Sequence, residues 1–407
     1  MPGTVKYSTS YFSLQLAFDS LVPGDILYIN DDYVLNSTVT LNNKHYVKII
    51  GLGEISPAVN GMTCIKIKNS EGTYVNDIVL ERLRINNTAP EGTGSGVGID
   101  LDSGYVCPPP PALCGGLYHV RIQDCNIHNF HFGLKLLDAF DIFIDNCQIF
   151  GCEVAVRSEL FAKGVGQIKI VGGFMINNDY GISIDHASTD PTELSQGQVS
   201  VFGCTFGHKR DPLSNGPGQI AVYVAKPITG IYLFGNSFED VANAVYFDDN
   251  FPVYTGSPPM VLAAIGNSFF NMEFGTVPGW WIDTHAADSG MGAVAVVGNT
   301  ASHNAVPPDP AATPALVNVP KVLTTGKGGV MLGGNAFNAY PPFSTFVPNN
   351  VYPKELSSQC YPLPAYTTLN RPLASSLPPG FTIFNISTNK INTSNGSNWR
   401  DANGNPV

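Results

Sequence analysis

One segment of this chain keeps returning, and that recurrence constrains the fold more than any other feature. Val120-Arg121-Ile122-Gln123-Asp124-Cys125-Asn126-Ile127 comes back as Ile142-Phe143-Ile144-Asp145-Asn146-Cys147-Gln148-Ile149. It comes back again as Ile168-Lys169-Ile170-Val171-Gly172-Gly173-Phe174-Met175 and as Val199-Ser200-Val201-Phe202-Gly203-Cys204. Four later copies end in Asn236, Asn267, Asn299 and Asn335, each preceded by Gly, and two earlier, degenerate copies place Leu52 and Leu83 at the same point. Successive copies lie between 22 residues apart (Cys125 to Cys147) and 42 apart (Leu83 to Cys125). A kept core turn with insertions elsewhere is the pattern of a solenoid. Apolar alternation of period two marks half-buried strands, and Gly or Asn at a fixed offset supplies the left-handed residue of a sharp corner. The sequence therefore predicts an all-β chain, a right-handed single-stranded parallel β-helix of roughly ten coils, spanning residues 25–340. Stacked Asn at one corner is expected to form an amide ladder, so Asn236, Asn267, Asn299 and Asn335 are assigned no chemistry.

The two ends read differently from the repeat. Residues 1–24 are expected to cap the stack: Ser10 precedes a short amphipathic helix with Leu14, Ala17, Phe18 and Leu21 on one face. Without such a plug the first coil exposes strand edge and core. Pro23-Gly24-Asp25 then turns into Ile26-Leu27-Tyr28-Ile29, and the first coil closes near Val47-Lys48-Ile49-Ile50-Gly51. After Phe337 the repeat stops. Residues 341–380 hold nine prolines, which cannot donate ladder hydrogen bonds and so mark a linker or laced extension. Residues 381–407 read as a small β segment, with a strand at Phe381-Thr382-Ile383-Phe384-Asn385, a hairpin turn at Asn395-Gly396 and a second turn at Asn403-Gly404 after Trp399.

Charged residues are 13% of the chain, about half the usual share, and no apolar run reaches the roughly 20 residues a bilayer span requires. Membrane insertion is not expected. Lys and Arg number 21 against 32 Asp and Glu, a net charge of −11, which argues against nucleic acid as a partner because phosphate binding needs a basic face. The opening Met1-Pro2-Gly3-Thr4-Val5-Lys6 shows no basic region followed by an apolar one, so no signal peptide is expected. Of eight cysteines, Cys125, Cys147 and Cys204 fall at equivalent repeat positions and read as reduced core residues. Cys107 and Cys114 bracket a Pro-rich loop that a disulfide could close, a bond that assembly in the cytosol would disfavour. No Cys/His spacing reads as a zinc site, and no metal or cofactor is expected.

Chemistry is sought on the side wall. The second strand of each coil aligns as Gly98-Ile99-Asp100-Leu101-Asp102, Gly133-Leu134-Lys135-Leu136-Leu137-Asp138 and Gly181-Ile182-Ser183-Ile184-Asp185-His186. Ala244-Val245-Tyr246-Phe247-Asp248 and Trp280-Trp281-Ile282-Asp283-Thr284-His285 continue the series, each placing an acid just beyond an inward apolar residue. Coils stack about 4.8 Å apart, near the carboxyl separation of retaining glycosidases, about 5 Å, while alternate coils approach the inverting range. Asp248 and Asp283 are the adjacent catalytic candidates, with Asp185 and His186 one coil further as an acid or water-positioning group. The same aspartates also suit strand ends structurally, because their side chains hydrogen-bond turn backbone. Trp280, Trp281, Tyr246, His186 and His285 are the candidate substrate-binding residues. Adjacent Trp280 and Trp281 point to opposite faces, one to the core and one outward, and an exposed indole suits the apolar face of a sugar. His128 and His131, in Asn126-Ile127-His128-Asn129-Phe130-His131, show no ligand-spaced partner.

The helical cap, the strand near Asp25 and the coil ladder together resemble pectate-lyase-like β-helix proteins, a superfamily of lyases, glycosidases, epimerases and phage tailspikes. The tail, from Gly380-Phe381-Thr382-Ile383-Phe384-Asn385 through Lys390 to Gly396-Ser397-Asn398-Trp399-Arg400-Asp401-Ala402-Asn403-Gly404, resembles a short segment recurrent at the ends of phage tail-fibre and virion proteins. The Arg-x-x-Pro-x-x-Arg pattern of pectate lyases and the Asn-Thr-Asp and Gly-His-Gly elements of polygalacturonases are missing, so no catalytic residue carries over. What the resemblance implies is a viral or phage spike-like protein that recognises host surface glycan, with cleavage of that glycan as a further expectation, and that works as a homotrimer among other virion proteins, assembled in the host cytoplasm. The alternatives are a purely structural virion β-helix and a free polysaccharide lyase, hydrolase or epimerase.

Overall fold

The structure is a computed structural model that describes residues 3–69, 75–90, 92–102, 116–137, 139–159, 166–185, 195–207, 219–248, 260–270, 280–283, 291–303, 315–318, 329–333, 336–339, 365–377, 381–385, 387–388, 390–401 and 405–407. The chain forms two compact units, 1–354 and 355–407, dividing within the Pro-rich stretch.

The larger unit is the parallel β-helix. One coil shows the plan: Ile142–Asp145, Gln148–Phe150 and Val154–Glu159 lie in three different sheets, and Gln167–Val171 returns to the first. Sheet 1 runs from Val5–Tyr7 to Gly329–Gly333, sheet 2 from Tyr33–Leu35 to Ala336–Ala339, and sheet 3 from Val39–Asn42 to Ala315–Asn318. All pairings between coils are parallel among the described residues, with like residues in register, as in Ile122 with Ile144 and Ile127 with Ile149. Alternation sends every second residue inward, so Ile142 and Ile144 are buried while Phe143 and Asp145 are partly exposed. Inward columns continue from coil to coil: Ile127, Ile149, Met175, Phe206, Phe238 and Phe269 follow one another in sheet 2. The last three rings stack at 5.3 and 5.1 Å between centroids, packing ring against ring along the core.

The corner from sheet 1 to sheet 2 is a two-residue turn. Its first residue is left-handed in every described coil from Arg82 onward: Arg82, Asp124, Asn146, Gly172, Gly203, Gly235, Gly266 and Gly298. Its second residue points into the core. Asn236, Asn267 and Asn299 are buried there and build the amide ladder. The Asn236 backbone N–H and Nδ2 both donate to Asn267 Oδ1, at 2.9 and 3.0 Å, and Asn267 repeats this onto Asn299 Oδ1 at 2.8 and 3.0 Å. Earlier coils hold Cys125, Cys147 and Cys204 at this point, buried and reduced. The Cys147 thiol faces Ile122 O at 3.4 Å, the place in the turn at which Asn236 Nδ2 donates to Val201 O at 3.0 Å. Asn335, Cys107 and Cys114 lie outside the described residues. Leu83 is buried as expected, but Leu52 is exposed. Ile50 pairs with Glu81 and Glu54 with Arg84, so three residues span a corner that later coils cross with two, and Leu52 is turned outward.

At the N-terminal end the helix Leu14–Asp19 buries Leu14, Ala17 and Phe18, followed by Leu21. Its cap is Ser13, whose side chain accepts from Leu16 N at 3.2 Å; Ser10 instead closes a short 3₁₀ turn, Ser8–Ser10. The helix starts later than the sequence suggests because Tyr11 and Phe12 intervene in extended or bent backbone. Asp25 locks this cap to the first coil. Its buried carboxylate accepts from Thr4 N and Oγ1 at 2.8 Å and Val22 N at 3.0 Å, and pairs with Lys6 at 2.7 Å. Burial works against its ionisation, yet those donors outweigh it and hold the carboxyl well below the usual carboxylate range.

The smaller unit is a four-stranded sheet in the order Ala365–Tyr366, Thr382–Asn385, Lys390–Ser394 and Trp399–Arg400. Thus Ala365–Tyr366 and the 3₁₀ turn Ala374–Ser376, which the sequence reading placed in the linker, belong to this unit. Ile383, Trp399 and Ala374 form its core, and the indole N–H of Trp399 donates to Pro372 O at 2.9 Å. The hairpin turn at Asn395-Gly396 is present, with Gly396 at φ 85°. Asn403-Gly404 lies outside the described residues.

Candidate functional site

Chain length varies around one sheet. Between sheets 1 and 2 the connection is two residues in each coil from Arg82-Leu83 onward, whereas the long connections flank sheet 3. Residues 208–219, 271–279 and 304–314 precede its strands; 103–116, 160–166, 186–194, 248–259, 284–290 and 319–328 follow them. Loops carry recognition when a rigid scaffold positions them, so the outer face of sheet 3 is the place to look for a site.

Register sorts that face into columns. Gly98, Gly133, Ala155, Gly181, Ala221 and Ala244 share an inward position held to small residues by the tight approach of sheet 2. A Cβ on Gly133 would stand 2.5 Å from the Ile149 side chain, and one on Gly181 2.6 Å from Ala221 O. Two outward columns follow. The first runs Lys66, Asp100, Lys135, Arg157, Ser183, Tyr223, Tyr246 and Asp283. The second runs Lys68, Asp102, Leu137, Glu159 and Asp185, and reaches Asp248 one step past the pair Val224 and Phe247.

The earlier coils of this face carry ion pairs. Lys66 bridges Asp100 at 3.2 Å and Asp102 at 2.6 Å. Lys135 meets Glu159 at 3.2 Å, and Arg157 meets Glu159 at 3.4 Å and Asp185 at 2.6 Å while donating to Ser183 Oγ at 2.8 Å. Burial pushes Asp100 above the usual carboxylate range, with Lys66 only partly offsetting it. Later coils turn aromatic. Tyr180 and Tyr223 lie 5.0 Å apart between ring centroids, and Tyr223 and Tyr246 stack near-parallel at 6.4 Å. The Tyr223 hydroxyl donates to Asp248. Burial first, then Asp248, raises the Tyr223 phenol; burial first, then Asp179, Glu153 and Asp248, raises that of Tyr180. Both hydroxyls therefore stay protonated donors through the neutral range.

The expected acid constellation is rearranged. Asp283 stands opposite Tyr246, two residues short of Asp248 along the strand, so their backbones are staggered by about 8 Å and not set face to face at one coil spacing. Asp185 and Asp248 do share a column, with Ala225 between them. Asp185 is thus two coils from Asp248, about 10 Å in backbone spacing. Tyr246 stands in the tyrosine strip. Trp280 pairs with Ala315, and Trp281 stands in backbone register with Ala244, one residue before the pair Val245 and Ile282. His186 and His285 lie outside the described residues. His131 pairs with Glu153 at 2.5 Å, an acid that also acts on Tyr180, and His128 packs near Phe150. Arg157, Glu159, Tyr180 and Tyr223 were missed by the sequence reading, which followed coils ending in Asp. Extending the Gly/Ala column through Ala155 and Ala221 would have found Arg157 and Tyr223 two residues further on. Among the described residues no group of three or more His, Cys, Asp or Glu is placed to hold a metal ion.

No protein-family model and no curated protein sequence matches this chain. Among solved structures, ORF18 of Geobacillus virus E2 is similar over 99% of this chain and 85% of that one, with a TM-score of 0.50 and 12% identity. The DFA-IIIase of Arthrobacter chlorophenolicus A6 aligns over 82% of this chain and 84% of its own, with a TM-score of 0.48 and 12% identity. Tailspike protein 3 of bacteriophage CBA120 aligns over 97% of this chain and 66% of its own, with a TM-score of 0.37 and 14% identity. At these identities the likeness to ORF18 is one of fold.

Proposed function

We propose that this chain is a spike- or fibre-type virion protein whose sheet 3 face binds host surface polysaccharide. The observation that carries this reading is the coincidence on one face of long flanking connections, a tyrosine strip and in-register carboxylates. Tyrosine combines an apolar body with a hydroxyl that donates and accepts, and carboxylates accept from sugar hydroxyls. The viral source of a protein sharing the fold over nearly the whole chain is consistent with the assignment to a virion. A homotrimer fits the outer face of sheet 1, which is charged at Lys48, Glu81 and Arg121 but apolar at Phe202, Phe234, Ile265 and Val297 in later coils.

Cleavage of the bound glycan is the second reading. It is favoured by the shared column of Asp185 and Asp248, whose two-coil spacing leaves room for a water between them, with Asp283 on the neighbouring coil as a further acid. The test is incubation of the purified chain with bacterial surface polysaccharides, following binding and chain length together. Binding lost in Tyr223→Ala and Tyr246→Ala supports recognition on this face; shortening lost in Asp185→Asn and Asp248→Asn adds catalysis. Absence of any binding leaves the architectural role, and turnover with no incorporation into particles points to a free enzyme.

A further inference from the structure

We infer that the sheet 3 face takes an uncharged polysaccharide and turns away anionic ones. This rests on the glycan-binding reading and adds the chemical class of the polymer.

The first ground is that three cations of the face, Lys66, Lys135 and Arg157, are already committed to its own acids. Lys66 serves Asp100 and Asp102, Lys135 serves Glu159, and Arg157 serves Glu159 and Asp185 at 2.6 Å. A uronate, sulfate or phosphate reaching Arg157 must displace a carboxylate from it, and the freed carboxylate then loses its partner in a half-buried setting. An anionic polymer gains little from such an exchange. Lys68 lies in register with Asp102 at the far end of the face from the tyrosines.

The second ground is the sign of the charge around the tyrosines. The acidic groups acting on Tyr180 and Tyr223 are Glu153, Asp179, Asp185 and Asp248, and they help to hold both phenols protonated. Asp248 and Asp185 lie in one column; Asp185 is paired with Arg157, so it is Asp248, against the Tyr223 hydroxyl, that brings negative charge to the strip. Like-charge approach is unfavourable and is felt most where solvent is partly excluded. The neutral phenol of Tyr180, the Tyr223 oxygen, which accepts while its proton is given to Asp248, and the carboxylate acceptors match a surface made of hydroxyl groups, each of which both donates and accepts. Lys226 follows Ala225 in sequence at the strand end, and its replacement tests whether an anion is taken there.

The experiment uses the full chain and a panel of bacterial surface polysaccharides, both uncharged and uronate-bearing, together with carboxyl-reduced forms of the latter. Affinity electrophoresis reads binding at low and raised salt. The expected result is binding confined to uncharged polymers and reduced forms, little affected by salt, and weakened about tenfold or more in Tyr246→Ala and Tyr223→Phe. Tyr223→Phe keeps the ring and so separates loss of the hydroxyl from loss of the fold. An acidic polymer that binds more tightly than its reduced form, with salt-sensitive affinity lost in Arg157→Gln or Lys226→Gln, overturns the charge inference and leaves the glycan-binding reading standing. Binding to no member of the panel overturns both.

Discussion

At the residue scale, two aspartates, Asp25 buried and Asp100 partly buried, show how environment sets the value of one side chain. Asp25 is surrounded by donors, Lys6, Thr4 and the Val22 amide, so its folded carboxyl ionises far more readily than in the unfolded chain. Stability from it is fully present above the ordinary carboxylate range and is lost as pH falls through and below that range. Asp25→Ala leaves Lys6 and two backbone amides without their acceptor, and is expected to cost about 3–5 kcal/mol in urea unfolding at neutral pH, with the penalty shrinking in acid. Asp100 has the opposite sign. Its folded carboxyl holds a proton more tightly than the unfolded one, so its contribution is favourable at low pH and is lost as pH rises through the raised value. Lys66 keeps Asp102 as a partner at 2.6 Å. Asp100→Asn is therefore expected to raise stability at neutral pH by up to about 1 kcal/mol and to change little in acid.

At the scale of elements, the ladder at the corner ties coil to coil. Asn267 accepts two hydrogen bonds from Asn236 and donates to Leu233 O at 3.0 Å and to Asn299. Asn267→Ala strands several of these buried groups and is expected to cost about 2–4 kcal/mol. Hydrogen exchange should quicken at the Asn236 amide and its neighbours while the cap around Asp25 stays protected, because each coil touches only the next. The column of Asp185 and Asp248 sets a chemical expectation as well. Two coils of separation suit an acid and a base acting across a water, so cleavage of a glycan on this face should proceed with inversion at the anomeric carbon. Proton magnetic resonance of the first-formed product reads this directly, and retention would remove that pair from the mechanism.

At the scale of the whole molecule, the apolar stretch of sheet 1 and the separate C-terminal unit each predict a behaviour. Phe202 and Phe234 stack at 5.2 Å on the outer face, and Ile265 continues their column. If copies associate through this wall, Phe234→Glu should shift the mass measured by light scattering toward the monomer while the melting of the β-helix is kept. An unchanged mass would place self-association elsewhere. In the smaller unit Trp399 and Ile383 dominate a slight core, and small units have little stability to lose. Trp399→Ala, at about 3–5 kcal/mol, should unfold that unit alone and abolish the near-ultraviolet signal of its indole.

The sequence by itself determined the repeat, and with it the coil, the strand alternation, the left-handed corner and the inward Asn and Cys positions. These are local and periodic properties, and recurrence at Cys125, Cys147, Cys204, Asn236 and Asn267 makes them legible without knowing where anything sits in space. Which outward residues meet was decided only by tertiary structure, because a lateral neighbour on the next coil is 22 to 42 residues away and a shift of register by one or two residues along a strand changes every cross-coil pair. Asp283 therefore faces Tyr246 and not Asp248, and Leu52 slips outward at a corner one residue longer than the rest. Arg157 shows the same division: the small residue Ala155 two positions before it marks it as outward on the strand, but only stacking brings Asp185 to its guanidinium at 2.6 Å.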